Sequence, residues 1–351
     1  MNIYFLADCH IDCKGGNLLW LNDCVSYFDN IFIPFCKEHV KSNDILCILG
    51  DWFDNRSQVT IPSIYHSVRL FEQFSDIFSK IILIVGNHDM FKKNDNNMTS
   101  LNMLKNISNV EIIYKPEVRK ISEKKILFVP WIEDVKEQKE LLKSHNVDYV
   151  FGHLEIGGCV TNSRKGIVLN TNNSIQSTDF KKAQVYAGHI HIRQDYKNVH
   201  YVGTPYHKDR GDIGNTKGFT ILNLESGRSK FVENKYSPKF IRDSIYDLLD
   251  STIGDLKTRW GNNYVDLVVK NSDIPDCNFN EMRDLLNGHY KEFNIVCDNS
   301  EQSLLKDENI QLSETKSVKD NIDEYIEQLE ISDDVKNDIN NILTEYMKNN
   351  E

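Results

Sequence analysis

The tetrapeptide Gly86-Asn87-His88-Asp89 closes the apolar run Lys80-Ile81-Ile82-Leu83-Ile84-Val85, and this stretch decides how the chain is interpreted. A β-branched run of this length predicts a buried strand, and the glycine marks where the strand ends. In an open α/β sheet, ligands bind beyond the carboxyl ends of the strands. We therefore expect Asn87 and His88 to lie at a functional edge of a sheet.

Four further apolar runs end in the same way. Their ends are Asp8-Cys9-His10, Gly50-Asp51-Trp52-Phe53-Asp54, Gly152-His153 and Gly188-His189-Ile190-His191. A single polar residue at a strand end is more often a loop residue or a hydrogen-bonded core histidine than a ligand. Because the carboxyl ends of parallel strands meet at one edge, the recurrence instead favours one shared site.

These five motifs, D-x-H, G-D-x-x-D, G-N-H-D, G-H and G-H-x-H in this order, resemble the calcineurin-like metallophosphoesterases. The resemblance implies an α/β fold, a two-sheet sandwich flanked by helices, with two divalent metal ions at the strand ends. Two ions roughly 3.5–4 Å apart activate water and neutralise phosphate oxygens in phosphodiester hydrolysis. Carboxylate and imidazole ligands suit Mn, Fe or Zn, and we expect Mn²⁺, with Mg²⁺ as the alternative.

The resemblance also implies a role for each motif residue. The first ion would be held by Asp8, His10 and His191, the second by Asn87, His153 and His189, with Asp51 bridging both. His88 is then the residue that is not a ligand, and we expect it to protonate the leaving oxygen or stabilise its charge. Asp54 is expected to orient His88, although a helix N-cap is the alternative.

Three looser marks point to one branch of this superfamily. Trp131 after Pro130, the stretch Gly203-Thr204-Pro205-Tyr206 and Lys217-Gly218-Phe219 resemble the double-strand-break-repair nucleases of SbcCD-type complexes and T-even-type phages. That likeness implies a DNA exonuclease or endonuclease subunit acting in repair and recombination. It also implies a homodimer and an SbcC-type coiled-coil ATPase partner.

Two other functions stay open at this point. A protein or nucleotide phosphatase could use the same fold, since the ligand set does not encode the substrate. A mainly architectural subunit that bridges DNA and the ATPase is the second alternative. For a nuclease, the candidate DNA contacts are Arg56, Lys92, Lys93, Tyr206, Lys208 and Arg210, although each charge by itself is more often simply solvated.

The pattern of apolar residues organises the chain. Helices are predicted over about 18–40, 62–78 and 98–107, alternating with strands, and closely spaced strands follow residue 125. The 62–78 helix carries enough aromatic surface to join a dimer interface, with packing on the sheet as the alternative. Four parts are predicted: a nuclease domain at 1–237, a DNA-contacting capping domain at 238–298, a linker at 299–316 and a helical segment at 317–351.

The capping domain is predicted to contain two helices and two strands. In chain order they are a helix over 243–260, a strand over 264–269, a helix over 278–289 and a strand over 293–296.

The acidity of the chain is concentrated in its last part. The net charge is −11, and residues 301–351 hold fourteen Asp and Glu against five Lys. Two short helices with an apolar stripe are predicted there, and isolated helices of this length are marginal in water. We expect the stripe to dock on the ATPase, or alternatively to fold back on the catalytic domain. The stripe consists of Ile322, Ile326, Leu329, Ile339 and Leu343.

Composition bounds the cellular setting. Eight cysteines without a C-x-x-C pair predict free thiols in a reducing cytoplasm, the host cytoplasm if the protein is phage-encoded. No apolar stretch approaches the ~20 residues of a membrane-spanning helix, and no secretory leader is recognised at the N-terminus.

Overall fold

The computed structural model describes residues 1–92, 95–162, 167–170, 174–249, 251–270, 284 and 288–298. The described parts of 1–269 and 273–296 belong to one compact unit. Of the second unit, 270–272 and 297–351, only Lys270, Cys297 and Asp298 are described. The predicted linker and the predicted ATPase-docking helices therefore lie outside the described residues, as does most of the predicted helix at 278–289.

A first sheet of six strands carries three of the five motifs. Its strands are β1 (Asn2–Leu6), β2 (Ile45–Ile48), β3 (Lys80–Ile84), β6 (Val110–Ile113), β15 (Gly218–Asn223) and β16 (Ser229–Glu233). The order is β16-β15-β1-β2-β3-β6, in which β1, β2, β3 and β6 are parallel and β15 pairs antiparallel with both neighbours. The motifs after β1, β2 and β3 consequently emerge at one edge.

A second sheet of six strands carries the other two motifs. Its strands are β7 (Glu117–Ile121), β8 (Lys124–Val129), β9 (Tyr149–His153), β12 (Gln184–Gly188), β13 (Gln194–Tyr196) and β14 (Val199–Tyr201). The order is β13-β14-β12-β9-β8-β7, with the four central strands parallel and both edge strands antiparallel. Two small hairpins complete the described strands of this part: β4 (Met90–Lys92) with β5 (Asp95–Thr99), and β10 (Val160–Asn162) with β11 (Ile167–Val168).

The two sheets pack face to face through an apolar layer. Phe5 of β1 lies 4.8 Å, centroid to centroid, from both Phe151 and Tyr186 of the second sheet. Alternating residues of β1, β2 and β3 fill this layer, while the intervening residues face the helices on the other side. The predicted two-sheet α/β sandwich flanked by helices is confirmed.

Helices cover the outer face of each sheet. They are α1 (Cys13–Gly16), α2 (Leu18–Tyr27), α3 (Ile33–His39), α4 (Ile61–Ile77) and α5 (Val135–Ser144), with a π-helical turn at Phe28–Phe32 between α2 and α3. On the first sheet, Phe28, Phe32 and Phe74 form edge-to-face pairs that bind α4 to the preceding helices. On the second sheet, Leu142 of α5 joins a separate apolar cluster.

The predicted helix at 98–107 is wrong. The chain instead forms β5 and a short 3₁₀ turn at Ser100–Met103. Local side chains supply the reason: Asp95 accepts a hydrogen bond from the backbone N–H of Asn97, and Thr99 accepts one from that of Leu101. Such bonds compete with the helical backbone pattern.

The capping part begins with a strand, which corrects the helix predicted over 243–260. Its elements are β17 (Phe240–Ser244), α6 (Ile245–Leu249), α7 (Ile253–Trp260), β18 (Tyr264–Lys270) and β19 (Glu292–Asp298), with the strands in the order β17-β18-β19. Thr252 and Asp255 form a capping box that starts α7 as a separate helix. The boundary at 237/238 stays a prediction and falls between β16 and β17.

Polar contacts join the capping part, residues 238–298, to the preceding residues 1–237. The hydroxyl of Tyr264 donates to Asp23 at 2.7 Å, and Arg210 forms an ion pair with the buried Asp266 at 2.8 Å. Within the capping part, the ring of Phe240 stacks on that of Tyr264 at 4.8 Å. Among the described residues, no helix combines the length and apolarity needed to cross a membrane.

Candidate metal centre

Strained loop conformations deliver the predicted ligands to the sheet edges. Asp8, His10, Asp51 and His189 have φ angles of 51°, 43°, 53° and 91°. Positive φ in residues other than glycine costs about 1–3 kcal/mol each and persists only where the surroundings enforce it. Strand alternation does not place Asp8 and His10, because β1 ends at Leu6.

Backbone hydrogen bonds hold the first two motif loops together. The N–H groups of Asp8 and His10 donate to the carbonyls of Gly50 and Asp51, each at 3.1 Å. These bonds satisfy polar groups that would otherwise be buried without partners, and they hold the strained backbone in place.

Asp89 anchors the loop of the third motif. Its side chain is fully buried, and it accepts hydrogen bonds from the backbone N–H groups of Asp51 and Gly86, both at 2.9 Å, and of Phe53 at 3.2 Å. One carboxylate thus joins the ends of β2 and β3. Burial and the nearby Asp51 carboxylate raise the pKa of Asp89, opposed by the donors from Gly86 and Phe53.

The first group of predicted ligands comes together as a cluster. Ligand atoms of Asp8, His10 and His191 all lie within 4.8 Å of one another. The imidazole of His10 is only 1% exposed; its Nδ1 lies 2.9 Å from Oδ1 of Asp54 without hydrogen-bond geometry, and its Nε2 has no hydrogen-bond partner. A buried nitrogen without a partner is costly unless it binds something, so Nε2 at this corner fits a metal ion.

The second group converges on the amide of Asn87. Its Oδ1 lies 2.8 Å from Nε2 of His153 and 3.1 Å from Nδ1 of His189. Nδ1 of His153 donates to the carbonyl of Leu49 at 2.8 Å, which leaves Nε2 as the lone-pair nitrogen when the ring is neutral. Amide oxygen and imidazole nitrogen are again suitable metal donors.

Asp51 lies between the two groups. Its Oδ2 is 3.7 Å from Nε2 of His10 and 3.3 Å from Nε2 of His153, and its Oδ1 accepts the backbone N–H of His88 at 2.8 Å. A carboxylate that bridges two metal ions would lie between the two ligand groups in this way. The ligand roles themselves stay predictions.

The buried charges of this site compensate one another. Burial disfavours the charged form of His153, but the Asp51 and Asp8 carboxylates raise the pKa of His153 to about 9. Burial also opposes ionisation of Asp51, yet the neighbouring His153 holds the pKa of Asp51 below its usual range. Burial and His10 lower the pKa of His191, which favours the neutral imidazole that a metal needs.

Asp54 contacts His88 through its backbone. Nδ1 of His88 donates at 2.7 Å to the backbone carbonyl of Asp54, not to its carboxylate, and the catalytic role of Asp54 stays a prediction. The carboxylate Oδ1 of Asp54 instead lies 2.9 Å from Nδ1 of His10 and 2.9 Å from Nζ of Lys208. The N-cap of α4 is Thr60, so the alternative role of Asp54 as a helix cap is excluded.

The predicted DNA contacts lie in different surroundings. The predicted contact of Tyr206 with DNA is corrected, because its ring is 3% exposed and its hydroxyl donates to the carbonyl of Cys9 at 2.6 Å. Arg210 is paired with Asp266 of the capping part, and Lys208 with Asp54. Lys92 is exposed on β4, Arg56 is partly exposed, and Lys93 lies outside the described residues.

Three supporting residues were given no role at the site by the sequence, although Trp131 and Lys217 belong to the stretches that resemble the repair nucleases. Lys217 is almost fully buried, and its Nζ donates to the carbonyl of His191 at 2.8 Å and to Thr204 Oγ1 at 2.7 Å, and pairs with Asp212. Glu155 and Trp131 both contact His189. The one available signal was the spacing of Glu155, two residues after His153 and therefore on the same side of an extended chain.

Comparison with known proteins now decides the family. The calcineurin-like phosphoesterase family matches residues 1–193. This chain belongs to that family. "Exonuclease subunit 1" of Enterobacteria phage T4 is 29% identical over 244 residues, which cover 67% of this chain and 68% of that protein. A structure of a protein of unknown function from Aquifex aeolicus is 21% identical and covers 51% of this chain and 91% of that one, with a TM-score of 0.28.

The family implies divalent metal ions, and the donor set fits them. Clustered carboxylates and imidazoles, an amide oxygen and the unpartnered Nε2 of His10 are the kinds of donor that such ions bind.

The motif glycines yield a first prediction. A Cβ on Gly86 would lie 2.2 Å from Oδ1 of Asp51 and 2.5 Å from its backbone nitrogen. Gly86→Ala must therefore displace the carboxylate between the two ligand groups, and a displacement of about 1 Å at a reacting centre costs on the order of 10²-fold in rate. We expect that loss in Mn²⁺-dependent hydrolysis of bis-p-nitrophenyl phosphate.

The matched control is Gly254→Ala in α7. A Cβ there meets only Thr252 Oγ1 at 3.7 Å, so this variant should keep full activity and unfold no more easily than the parent. Full activity in Gly86→Ala would contradict the close packing of β3 against Asp51.

Proposed function

We propose that this phosphoesterase is a two-metal DNA nuclease, an exonuclease or endonuclease that hydrolyses phosphodiesters at broken DNA ends. The observation that carries the proposal is the convergence of seven donor side chains from the ends of both sheets. The phage T4 relative, named an exonuclease subunit, supports DNA as the substrate and the host cytoplasm as the place of action. DNA repair and recombination are the setting that follows.

In this proposal, the ligands are divided as the sequence predicts. Asp8, His10 and His191 would hold one ion, Asn87, His153 and His189 would hold the other, and Asp51 would be available to both. Two Mn²⁺ ions, or Mg²⁺ in their place, would activate a water and neutralise charge on the phosphate oxygens. Backbone hydrogen bonds between the motif loops hold these side chains in place.

His88 is the proposed proton donor to the leaving oxygen. Its Nδ1–H donates to the carbonyl of Asp54, so Nε2 is the nitrogen left for the substrate, and the ring gives up the Nε2 proton from its doubly protonated form. Lys208 lies beside Asp54 and His10 with its side chain 15% exposed, which suits contact with a substrate phosphate. Arg56, Lys92 and Lys93 would extend this contact along the DNA backbone.

The division between ligands and proton donor is testable by substitution. Asp51→Asn removes the shared charge and should abolish both two-metal occupancy and activity. His88→Ala should keep both ions and lose about 10²–10⁴-fold in rate, the usual contribution of a general acid. Bound metal is counted by inductively coupled plasma mass spectrometry, and rates are measured on duplex and single-stranded DNA.

His39→Ala is the control, since His39 lies exposed on α3 and should affect neither quantity. Loss of metal in His88→Ala would overturn the division. A parent protein that hydrolyses p-nitrophenyl phosphate monoesters but neither DNA nor diesters would favour the phosphatase, and metal-independent binding without cleavage would favour the architectural role.

An SbcC-type coiled-coil ATPase is the proposed partner. The name of the T4 relative describes it as a subunit, which supports an assembly. The docking segment is residues 317–351, whose apolar stripe alternates with acidic residues in the sequence. Such a segment suits an apolar groove with basic margins on the partner.

Truncation after Asp298 tests this assignment. Metal-dependent cleavage of model phosphodiesters should survive, because every proposed ligand precedes residue 192. Co-purification with the ATPase and ATP-stimulated duplex digestion should disappear. Undiminished ATPase binding by the truncated protein would refute the role of the segment.

A homodimer through α4 is the other proposed assembly. Ile61 and Tyr65 at the start of α4 are 82% and 63% exposed, and Leu18 and Leu19 at the start of α2 are 59% and 48% exposed. A concentration of exposed apolar side chains is typical of an interaction surface. We therefore expect two copies to bury these residues against each other.

Sedimentation velocity at micromolar concentration tests the dimer. The parent chain should sediment as a dimer, and a variant combining Ile61→Glu with Tyr65→Glu should shift to monomer because it would bury two charges. Val118→Glu, at a 44% exposed position on β7, is the control and should remain dimeric. A parent chain that sediments only as monomer would exclude the interface.

A further inference from the structure

A carboxylate outside the five sequence motifs contacts Nε2 of the His189 ring. Oε2 of Glu155 lies 3.1 Å from Nε2 of His189. An ionised carboxylate only accepts hydrogen bonds, so the proton must be on Nε2. The lone pair of the neutral ring is consequently on Nδ1, the nitrogen that lies 3.1 Å from Oδ1 of Asn87.

In the neighbouring His153, the two ring nitrogens have the opposite roles. Its Nδ1 donates to the carbonyl of Leu49 at 2.8 Å, and its Nε2 faces Oδ1 of Asn87. In both rings one nitrogen faces an outer oxygen and the other faces Oδ1 of Asn87, so the nitrogen beside Asn87 is the one that carries the lone pair when the neutral ring binds a metal ion. Only His189 depends on a side chain for this, because the partner of His153 is a backbone carbonyl.

Trp131 limits the orientation of the same ring. Its indole lies 4.8 Å from the His189 ring, with 33° between the planes, and meets the His153 ring edge-on at 5.9 Å. The indole is itself fixed, since the Trp131 N–H donates to the carbonyl of Val85 at 2.9 Å and Nε1 donates to Glu133 at 3.0 Å.

We propose that Glu155 is a positioning residue that fixes the Nε2-protonated tautomer of His189, with Trp131 packed on the ring, so that Nδ1 is presented to the second metal ion. The proposal rests on the proposed function for the identity of that ion. Glu155 touches neither ion nor substrate and acts only through His189. Removing an outer partner of a metal-bound histidine typically costs 10- to 100-fold in metal affinity.

The first test measures the tautomer without added metal. In the full chain labelled with ¹⁵N-histidine and treated with chelator, two-bond ¹H–¹⁵N spectra should give His189 as the Nε2–H form. Glu155→Ala should convert it to a mixture of tautomers, while Glu155→Gln should keep the Nε2–H form, because the amide oxygen still accepts the proton. A His189 signal unchanged in Glu155→Ala would overturn the proposal.

The second test measures Mn²⁺ binding by isothermal titration calorimetry. The parent should bind two ions, and Glu155→Ala should weaken one of them about 10- to 100-fold and leave the other unchanged. Glu155→Gln should lie between the two. Equal affinities in the parent and Glu155→Ala would overturn the role of Glu155 alone, whereas a parent that binds no Mn²⁺ would overturn the proposed metal centre itself.

Asp195→Ala is the matched control. Asp195 pairs with Nδ1 of His200 at 2.7 Å, which is the same kind of contact on the β13–β14 edge and involves no proposed ligand. This variant removes the acceptor, so it should alter the tautomer of His200 and leave both Mn²⁺ affinities at the parental values. A comparable loss of affinity in Asp195→Ala would mean that any broken carboxylate–histidine pair weakens the site, and would overturn the specific role of Glu155.

Discussion

The site depends on the contacts of one buried carboxylate, that of Asp51. It is 2% exposed, lies between the imidazoles of His10 and His153, and its own backbone N–H is held by Asp89. Asp8, Asp51 and Asp89 are all buried, and three carboxylates this close repel one another unless positive charge is near. The imidazole of His153 supplies part of that charge, and divalent ions would supply more. These buried carboxylates therefore need cations close to them.

The two-sheet sandwich makes this concentration of charge possible. Parallel strands of both sheets end at the same side, so motifs more than a hundred residues apart in sequence meet across the apolar layer between the sheets. Glycine allows the closest approach: a Cβ on Gly50 would lie 2.3 Å from Nδ1 of His153. The left-handed conformations of Asp8, His10 and Asp51 are held by backbone bonds between neighbouring loops. Packing of the sandwich thus offsets the strain that the site requires.

The sequence was informative wherever the signal was local. Apolar runs that end in Gly, Asp, His or Asn predicted the strands and the residues brought together beyond them, and the helical period predicted α4 closely. It failed where the answer depends on distant packing. Tyr206 follows a motif but packs under Trp20 and Tyr27, and the Asp54 carboxylate turns to Lys208, which is far away in sequence. Glu155 was missed because its partner, His189, follows a different strand, β12.

The two halves of the site differ in how firmly their histidines are held. On the side of Asn87, both imidazoles have an outward hydrogen-bond partner, and an indole packs against them. On the other side, His10 has no partner with hydrogen-bond geometry and lies against Asp54, which also pairs with the partly exposed Lys208. One oxygen of Asp54 contacts both His10 and Lys208, so the first group is linked to a partly exposed ion pair. In the second group, His153 is held by the buried carbonyl of Leu49, whereas His189 is held by the partly exposed Glu155.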